Sequence, residues 1–292
     1  MNKKAPIALG VIGGTGIYEL EGFEIEEEKS VDTPFGKPSD AFIIGKLHGT
    51  RLAFLSRHGR GHHCIPHEIN YRANIYGMKV LGVERILAIS AVGSMRHDIT
   101  PEDFVVVDQF FDRTRSRIST FFTNGLVAHV GFGNPTCKEL SSLVTKAAKK
   151  SGASVHSRGT YLCIDGPQFS TRAESEIYRS WGVDVIGMTN LTEAKLAREA
   201  ELCFCTLALV TDYDCWHEKE EDVSVQAVLN TMMHNTIKAK TTIKILASLL
   251  NKETPYQCEC SSSLKGAIMT KPEKVDPEER RKLSIIVDKY LP

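Results

Sequence analysis

Short apolar runs alternate along the chain with longer stretches whose apolar positions recur every three or four residues. The short runs predict strands at residues 7–12, 41–47, 52–55, 85–90, 104–108, 160–164, 183–186 and 203–210. The amphipathic stretches predict helices at 68–81, 135–151, 171–181, 192–201 and 223–250. The last of these follows Asp222, an N-cap residue type, and carries Val225, Val228, Leu229 and Met232 at helical spacing. Such alternation implies an α/β fold with a central mixed sheet flanked by helices. No Pro/Gly/Ser-rich linker or internal repeat divides the chain, so residues 1–292 read as a single domain. From about residue 251 the chain turns more polar and reads as a C-terminal extension, a loop and one closing helix over 277–289.

Composition narrows the class. The first apolar run is too short to span a membrane and lacks a signal-peptide cleavage pattern, so the cytoplasm is the expected location. Thirty-six basic residues balance 36 acidic ones, which argues against a broad nucleic-acid-binding surface. Eight cysteines include no CxxC, and most read as buried thiols. Two CxC pairs, Cys203/Cys205 and Cys258/Cys260, leave a disulfide reading open. His58, His62 and His63 are close in sequence, but Gly59 and Gly61 disfavour a helix there and no carboxylate lies nearby, so no metal site is expected.

In open α/β sheets ligands sit beyond the carboxyl ends of strands. The first predicted strand runs into Gly13-Gly14-Thr15-Gly16, whose backbone N–H groups and hydroxyl suit an anion. The third is followed by Arg57, a planar fork of donors, and His58, which can donate a hydrogen bond. The fourth ends in Ser90-Ala91-Val92-Gly93-Ser94, and the strand ending at Ile186 in Gly187-Met188-Thr189-Asn190. Neutral donors with one arginine and one histidine suit a single small oxyanion such as phosphate. A polyphosphate with magnesium calls instead for a lysine in a glycine loop and carboxylates for the metal. At the end of the strand over 203–210 stand Asp212 and Asp214, two residues apart, which point the same way if the extended conformation continues.

The stretches "GVIGGTGIY", "VDTPFGKPSD", "RHGRGHHCIPHEINYRANIYGMK", "GTYLCIDGPQFSTRAESEIYRSWGVDVIGMT" and "TDYDCW" resemble, over residues 7–250, the 5′-methylthioadenosine phosphorylases of the trimeric purine nucleoside phosphorylase superfamily. The resemblance implies that Thr15, Arg57, His58, Ser90, the backbone of Ala91, and Thr189 hold phosphate. Met188 lies under the ribose, Phe169 packs on the purine, and Tyr213 belongs with the substrate-binding residues. Ser170 and Val225 tune substrate choice. His62 and His129 approach the 5′ end of the nucleoside, His129 from a neighbouring subunit. The implied partners are a nucleoside and inorganic phosphate, a co-substrate, with no cofactor, nucleic acid or membrane. The implied assembly is a homotrimer or a dimer of trimers. Ser90 stands where some relatives have threonine. Gly187 stands where eukaryotic members have asparagine, which leaves selectivity on the ribose side open.

The resemblance also implies phosphorolysis of methylthioadenosine, feeding methionine and purine salvage. On that reading Asp212 protonates the leaving adenine at N7, directly or through water. Asp214 accepts from the 6-amino group. Two carboxylates favour a 6-amino over a 6-oxo purine, because a mismatched edge leaves buried groups unpaired. Three alternatives stay open here: a 6-oxopurine or methylthioinosine phosphorylase of the same fold, an NAD(P) oxidoreductase, and a catalytically silent nucleoside-binding module. The oxidoreductase lacks the GxGxxG spacing.

Overall fold

The computed structural model describes residues 6–14, 16–17, 19–115, 117–217, 225–252 and 258–291. Thr15 and Asp222 lie outside the described residues, as does the side chain of Val225. The first half contains β1 (Leu9–Gly13), β2 (Glu24–Lys29), β3 (Phe42–Leu47), β4 (Thr50–Ser56), α1 (Tyr71–Val80), β5 (Arg85–Ser94), β6 (Phe104–Val107) and β7 (Gln109–Asp112). The second contains α2 (Lys138–Lys150), β8 (Val155–His156), β9 (Thr160–Cys163), α3 (Arg172–Ser180), β10 (Val185–Gly187), α4 (Asn190–Glu199), β11 (Cys203–Asp212), α5 (Val225–Lys252), α6 (Pro277–Lys282) and α7 (Ser284–Val287). All eight predicted strands and all five main helices are present, with shifted ends.

Three strands were not anticipated. β2, "EIEEEK", is an edge strand whose charged, mostly exposed side chains give no apolar alternation. β7 and β8 have four and two residues, too few to establish a period. The predicted closing helix divides into α6 and α7 at Leu283.

One mixed sheet joins all eleven strands, in the order β2-β3-β4-β1-β5-β10-β9-β7, with β11 also paired to β5 and β6, and β8 to β6. Alternation along each strand sorts its side chains between two faces. Along β4, Ala53 and Leu55 enter one core with residues of α1, α4 and α7, while Leu52 and Phe54 enter another with residues of α2 and α5. The chain after residue 258 therefore helps cover a face of the sheet, with Leu264, Leu283, Val287 and Leu291 buried there. Among the described side chains of α5, those of Asn235, Ala239, Thr242, Ile243, Leu246 and Ala247 are buried. Leu229, from the predicted apolar set, is 53 % exposed, and Met233 and Ile237, one and two turns on, are 62 % and 67 % exposed. Among the described residues no helix is long and apolar enough to cross a membrane.

β5 is the spine of the sheet. Its first half pairs with β1, its whole length with β11, and its last residues with antiparallel β10. Carboxyl ends of β1, β4, β5 and β11 are thereby gathered on one side.

Glu199, near the end of α4, shows how local environment sets a pH response. Its carboxylate accepts from the Thr120 hydroxyl at 2.7 Å and from the Phe121 N–H at 2.7 Å. Burial nonetheless dominates and pushes its pKa up to about 7 from 4.5. A carboxyl raised in the folded state contributes stability that is fully present below about pH 4.5 and lost as pH rises to about 7. Chemical denaturation of wild type and Glu199→Gln across that window should show wild type losing up to about 3 kcal/mol relative to the variant; parallel curves would refute this.

Candidate active site

Arg57 follows β4 directly, and its N–H donates to the Gly13 carbonyl at the end of β1, at 2.9 Å. The side chain turns inward and is 2 % exposed. Its Nε and Nη2 grip the Glu193 carboxylate at 2.6 and 3.1 Å, while Nη1 donates to the Ile89 carbonyl and Nη2 to that of Ile12. Burial alone would lower the guanidinium's pKa; the Glu193 charge and hydrogen bonds reverse that and raise it. The fork thus faces Glu193, a residue the sequence reading passed over, and these contacts leave one N–H of Nη1 for a ligand. Glu193 is fully buried on α4 and also accepts from Asn190 Nδ2 at 2.8 Å.

Around this cation the neutral donors gather. Ser90, 9 % exposed, follows Ile89 on β5, and Thr189 caps α4 just after β10. The buried Tyr161 phenol joins them, with the Ser90 hydroxyl beside it and the Thr189 N–H at 3.4 Å. Burial pushes that phenol up to about 12, so it stays protonated. Thr189 Oγ1 is buried without a hydrogen-bond partner among the described residues. Such an orphan is expected to be satisfied by something the site takes up.

His58 departs from the sequence reading. Its Nδ1 lies 2.8 Å from the Cys64 carbonyl and therefore carries the hydrogen. Burial, with Arg57 and His62 adding, lowers its pKa to about 4. The ring is neutral near pH 7, so Nε2 accepts a hydrogen bond instead of donating one. It stacks on His62, with centroids 4.2 Å apart.

The carboxylates lie farther along β5. The β11 register shifts between Val210 and Asp212, setting Asp212 against Gly93. Extended conformation does not continue to Asp214, whose φ is +52°. A turn closes instead: the Asp214 N–H donates to Asp212 Oδ1 at 2.8 Å, and Thr211 Oγ1 lies 2.6 Å from Asp212 Oδ2. Both aspartates still converge, since a Cβ on Gly93 would lie 2.9 Å from Asp212 Oδ1 and 3.4 Å from Asp214 Cβ. Asp214 is 7 % exposed, and burial, reinforced by the Asp212 charge, raises its proton affinity. Its Oδ2 is also buried without a hydrogen-bond partner among the described residues, with the Ser175 hydroxyl close to the carboxyl. Ser90 and Gly93 are three residues apart, so the anion-binding and carboxylate ends stand about 10 Å apart along β5.

Of the remaining predicted residues, Ser170 and Tyr213 lie next to Asp214, whereas His129 does not. Cys215 Sγ donates to the Ser170 carbonyl at 3.3 Å, which holds the Phe169–Ser170 loop beside Asp214. Phe169 is 47 % exposed. Tyr213 stacks on His217, and Trp216 Nε1 donates to the Ser94 carbonyl at 2.7 Å, anchoring the turn. Met188 packs on Gly166. Arg117, buried and unforeseen, donates to the Met188, Ile164 and Asp165 carbonyls and so ties the ends of β9 and β10 together. His129 is exposed, and its N–H bonds the Ala267 carbonyl of the C-terminal segment, not a strand end of the site. An open cleft of about 660 Å³ beside Arg96, His97 and Glu176 contains none of these residues.

Comparison with known proteins fits this geometry. The profile of the phosphorylase superfamily matches residues 8–250. The chain belongs to that superfamily. Among its superfamily relatives, an S-methyl-5′-thioadenosine phosphorylase of Geobacter sulfurreducens is 52 % identical over 284 residues, covering 97 % of this chain and 99 % of that one. Its counterpart in Hyperthermus butylicus is 50 % identical, covering 91 % and 96 %. A crystal structure of methylthioadenosine phosphorylase sourced from an antarctic soil metagenomic library superposes with a TM-score of 0.92 at 42 % identity, covering 97 % and 100 %. A methylthioadenosine phosphorylase from Schistosoma mansoni in complex with adenine gives 0.81 at 36 %, covering 85 % and 93 %.

Gly187 is explained by contact. A Cβ there would lie 2.0 Å from the Tyr161 hydroxyl, the group shared by Ser90 and Thr189. Gly187→Ala should displace the phenol, costing roughly 1–3 kcal/mol in thermal unfolding, and should raise the KM for the anionic substrate. An unchanged melting temperature together with an unchanged KM would refute the contact argument.

Proposed function

We propose that the chain catalyses phosphorolysis of 5′-methylthioadenosine to adenine and 5-methylthioribose 1-phosphate, as a pentosyltransferase without a cofactor. One observation carries the reading: two buried polar atoms without partners, Thr189 Oγ1 and Asp214 Oδ2, stand at opposite ends of one strand-end site. One end suits an oxyanion and the other a purine edge. The names of the close superfamily relatives support the substrate.

In this reading phosphate accepts from Arg57 Nη1, Ser90, Thr189 and the backbone N–H of Ala91, with Thr15 from the glycine turn. Neutral His58 adds selectivity, since its Nε2 accepts from a protonated phosphate oxygen. A phosphate oxygen attacks the anomeric carbon as the bond to N9 breaks and its electron pair moves into the purine. The anion below the ring stabilises the positive charge building on the sugar. Met188 lies under the ribose and Phe169 against the base, while Tyr213, Ser170 and Val225 shape the surrounding pocket. Asp212 delivers a proton to N7, directly or through water, and Asp214 engages the 6-amino group. Burial, reinforced by the neighbouring Asp212 charge, raises the proton affinity of Asp214, so the proton that reaches N7 belongs to the pair.

A homotrimer, or a dimer of trimers, completes the reading, with His62 and a neighbour's His129 at the 5′ end. Exposed apolar side chains support assembly. Phe111 and Trp181 pair at 5.1 Å with both rings over 40 % exposed, and Leu229, Met233 and Ile237 line one face of α5.

The test is base release from methylthioadenosine and inosine, each with and without phosphate. Methylthioadenosine should be cleaved faster, and only with phosphate. Faster inosine cleavage would select the 6-oxopurine alternative. Asp212→Asn should lose about 10²–10⁴-fold in turnover. As an acid is required, wild-type kcat/KM should fall as pH rises through the pair's titration. Either aspartate-to-asparagine variant should lose that fall, and one retaining the wild-type profile would exclude that residue. Arg57→Ala should raise the phosphate KM far more than the nucleoside KM, and equal changes would contradict its assignment.

A further inference from the structure

Four cysteines outside the active site converge. Cys137 caps α2, Cys203 opens β11, Cys258 caps the short 3-10 turn Glu259–Ser262, and Cys260 lies within that turn. Their four sulfurs all lie within 4.8 Å of one another, and Cys137, Cys203 and Cys260 are buried. The sequence concealed this arrangement, because a CxC and two cysteines 66 residues apart do not form the paired CxxC spacing of common zinc sites.

We propose that Cys137, Cys203, Cys258 and Cys260 form a structural tetrathiolate site for one Zn²⁺.

Geometry favours a shared ion over two disulfides. A tetrahedral ion with Zn–S bonds near 2.3 Å sets its sulfurs about 3.8 Å apart. Here every sulfur is near the other three, and the Cys203–Cys258 separation is 3.1 Å. A disulfide needs a bond of about 2.05 Å within isolated pairs. Soft thiolates and tetrahedral closure select zinc over harder cations. On binding, Zn²⁺ replaces the four thiol protons, which pass to solvent, and the cluster keeps two negative charges. The amino end of α2, a 13-residue helix capped by Cys137, is an electrostatically favourable neighbour for that charge.

Its position defines its role. Cys258 and Cys260 pack with the α2/α5 core, whereas Leu264 and Ala267, a few residues on, pack with the α1/α4 core. The cluster therefore sits where the chain crosses from one face of the sheet to the other. Four ligands close the coordination sphere, as in structural sites. Asp212 lies at the far end of the ten-residue β11, about 30 Å away, so the metal takes no part in the proposed reaction.

Untagged protein purified without chelator should contain about one equivalent of zinc per chain by elemental analysis. Its intact mass should show all eight cysteines reduced. After mercurial release and chelation, added Co²⁺ should give thiolate charge-transfer and tetrahedral visible bands. Cys258→Ser/Cys260→Ser should retain less than about a tenth of an equivalent of zinc and melt at a lower temperature. Its turnover, measured well below that temperature, should match wild type. Zinc below about a tenth of an equivalent in wild type, with the thiols either free or oxidised to disulfides, would overturn the proposal. These metal readouts are independent of substrate, so they stand or fall separately from the proposed activity.

Discussion

Closure of the anion-binding end rests on the ion pair between Arg57 and Glu193, neither of which is more than 2 % exposed. Burying two charges costs several kcal/mol each unless geometry and further hydrogen bonds compensate. Compensation is thorough here: Glu193 takes two bonds from the guanidinium and one from Asn190, and the guanidinium also satisfies the carbonyls of Ile12 and Ile89. Those carbonyls lie at the ends of β1 and along β5, and Glu193 belongs to the helix capped by Thr189. A single pair therefore sets the mutual position of strand ends from three parts of the chain. Removing either partner would leave the other charge buried and unpaired.

The same pair changes how Arg57 functions. A guanidinium open to solvent would bind any anion with its full fork. Held by Glu193, it offers one N–H and a fixed positive field, and the rest of the cradle is neutral: two hydroxyls, backbone N–H groups and an uncharged His58 that accepts. That balance suits a small, partly protonated oxyanion better than a dense polyphosphate. It also leaves the phosphate charge largely unneutralised, which is useful when that charge must stabilise a cationic sugar.

Much of this was legible in the sequence, for identifiable reasons. Buried strands announce themselves as apolar runs, and the residues just beyond parallel strands gather on one side of the sheet, so the proximity of Arg57, Ser90, Thr189 and the two aspartates could be expected before any fold was known. What escaped depended on pairing in space. Glu193 and Arg117 lie in ordinary polar surroundings in sequence, and only the fold places each beside buried carbonyls or a buried charge. The acceptor role of His58 depends on the Cys64 carbonyl. Strand alternation gave the correct convergence of Asp212 and Asp214 for the wrong reason, since a bulge and a left-handed residue bring them together. Gly187 is visible in sequence only as a departure, and its cause is the Tyr161 hydroxyl across the pair β9–β10.

β5 makes these separate pieces one site. Strands are nearly inextensible, so residues on one strand keep their spacing regardless of loop motion. Ser90 near the cation and Gly93 between Asp212 and Ile186 are fixed about 10 Å apart by three peptide units. A ligand spanning both ends must match that length, and groups binding an oxyanion at one end and a purine at the other must then meet across a single pentose. Loops carry most side chains of the proposed site, but the strand sets their separation. Glycine at position 93 follows from the same constraint, because a side chain there would run into the Asp212 carboxylate, Ile186 and the Cβ of Asp214.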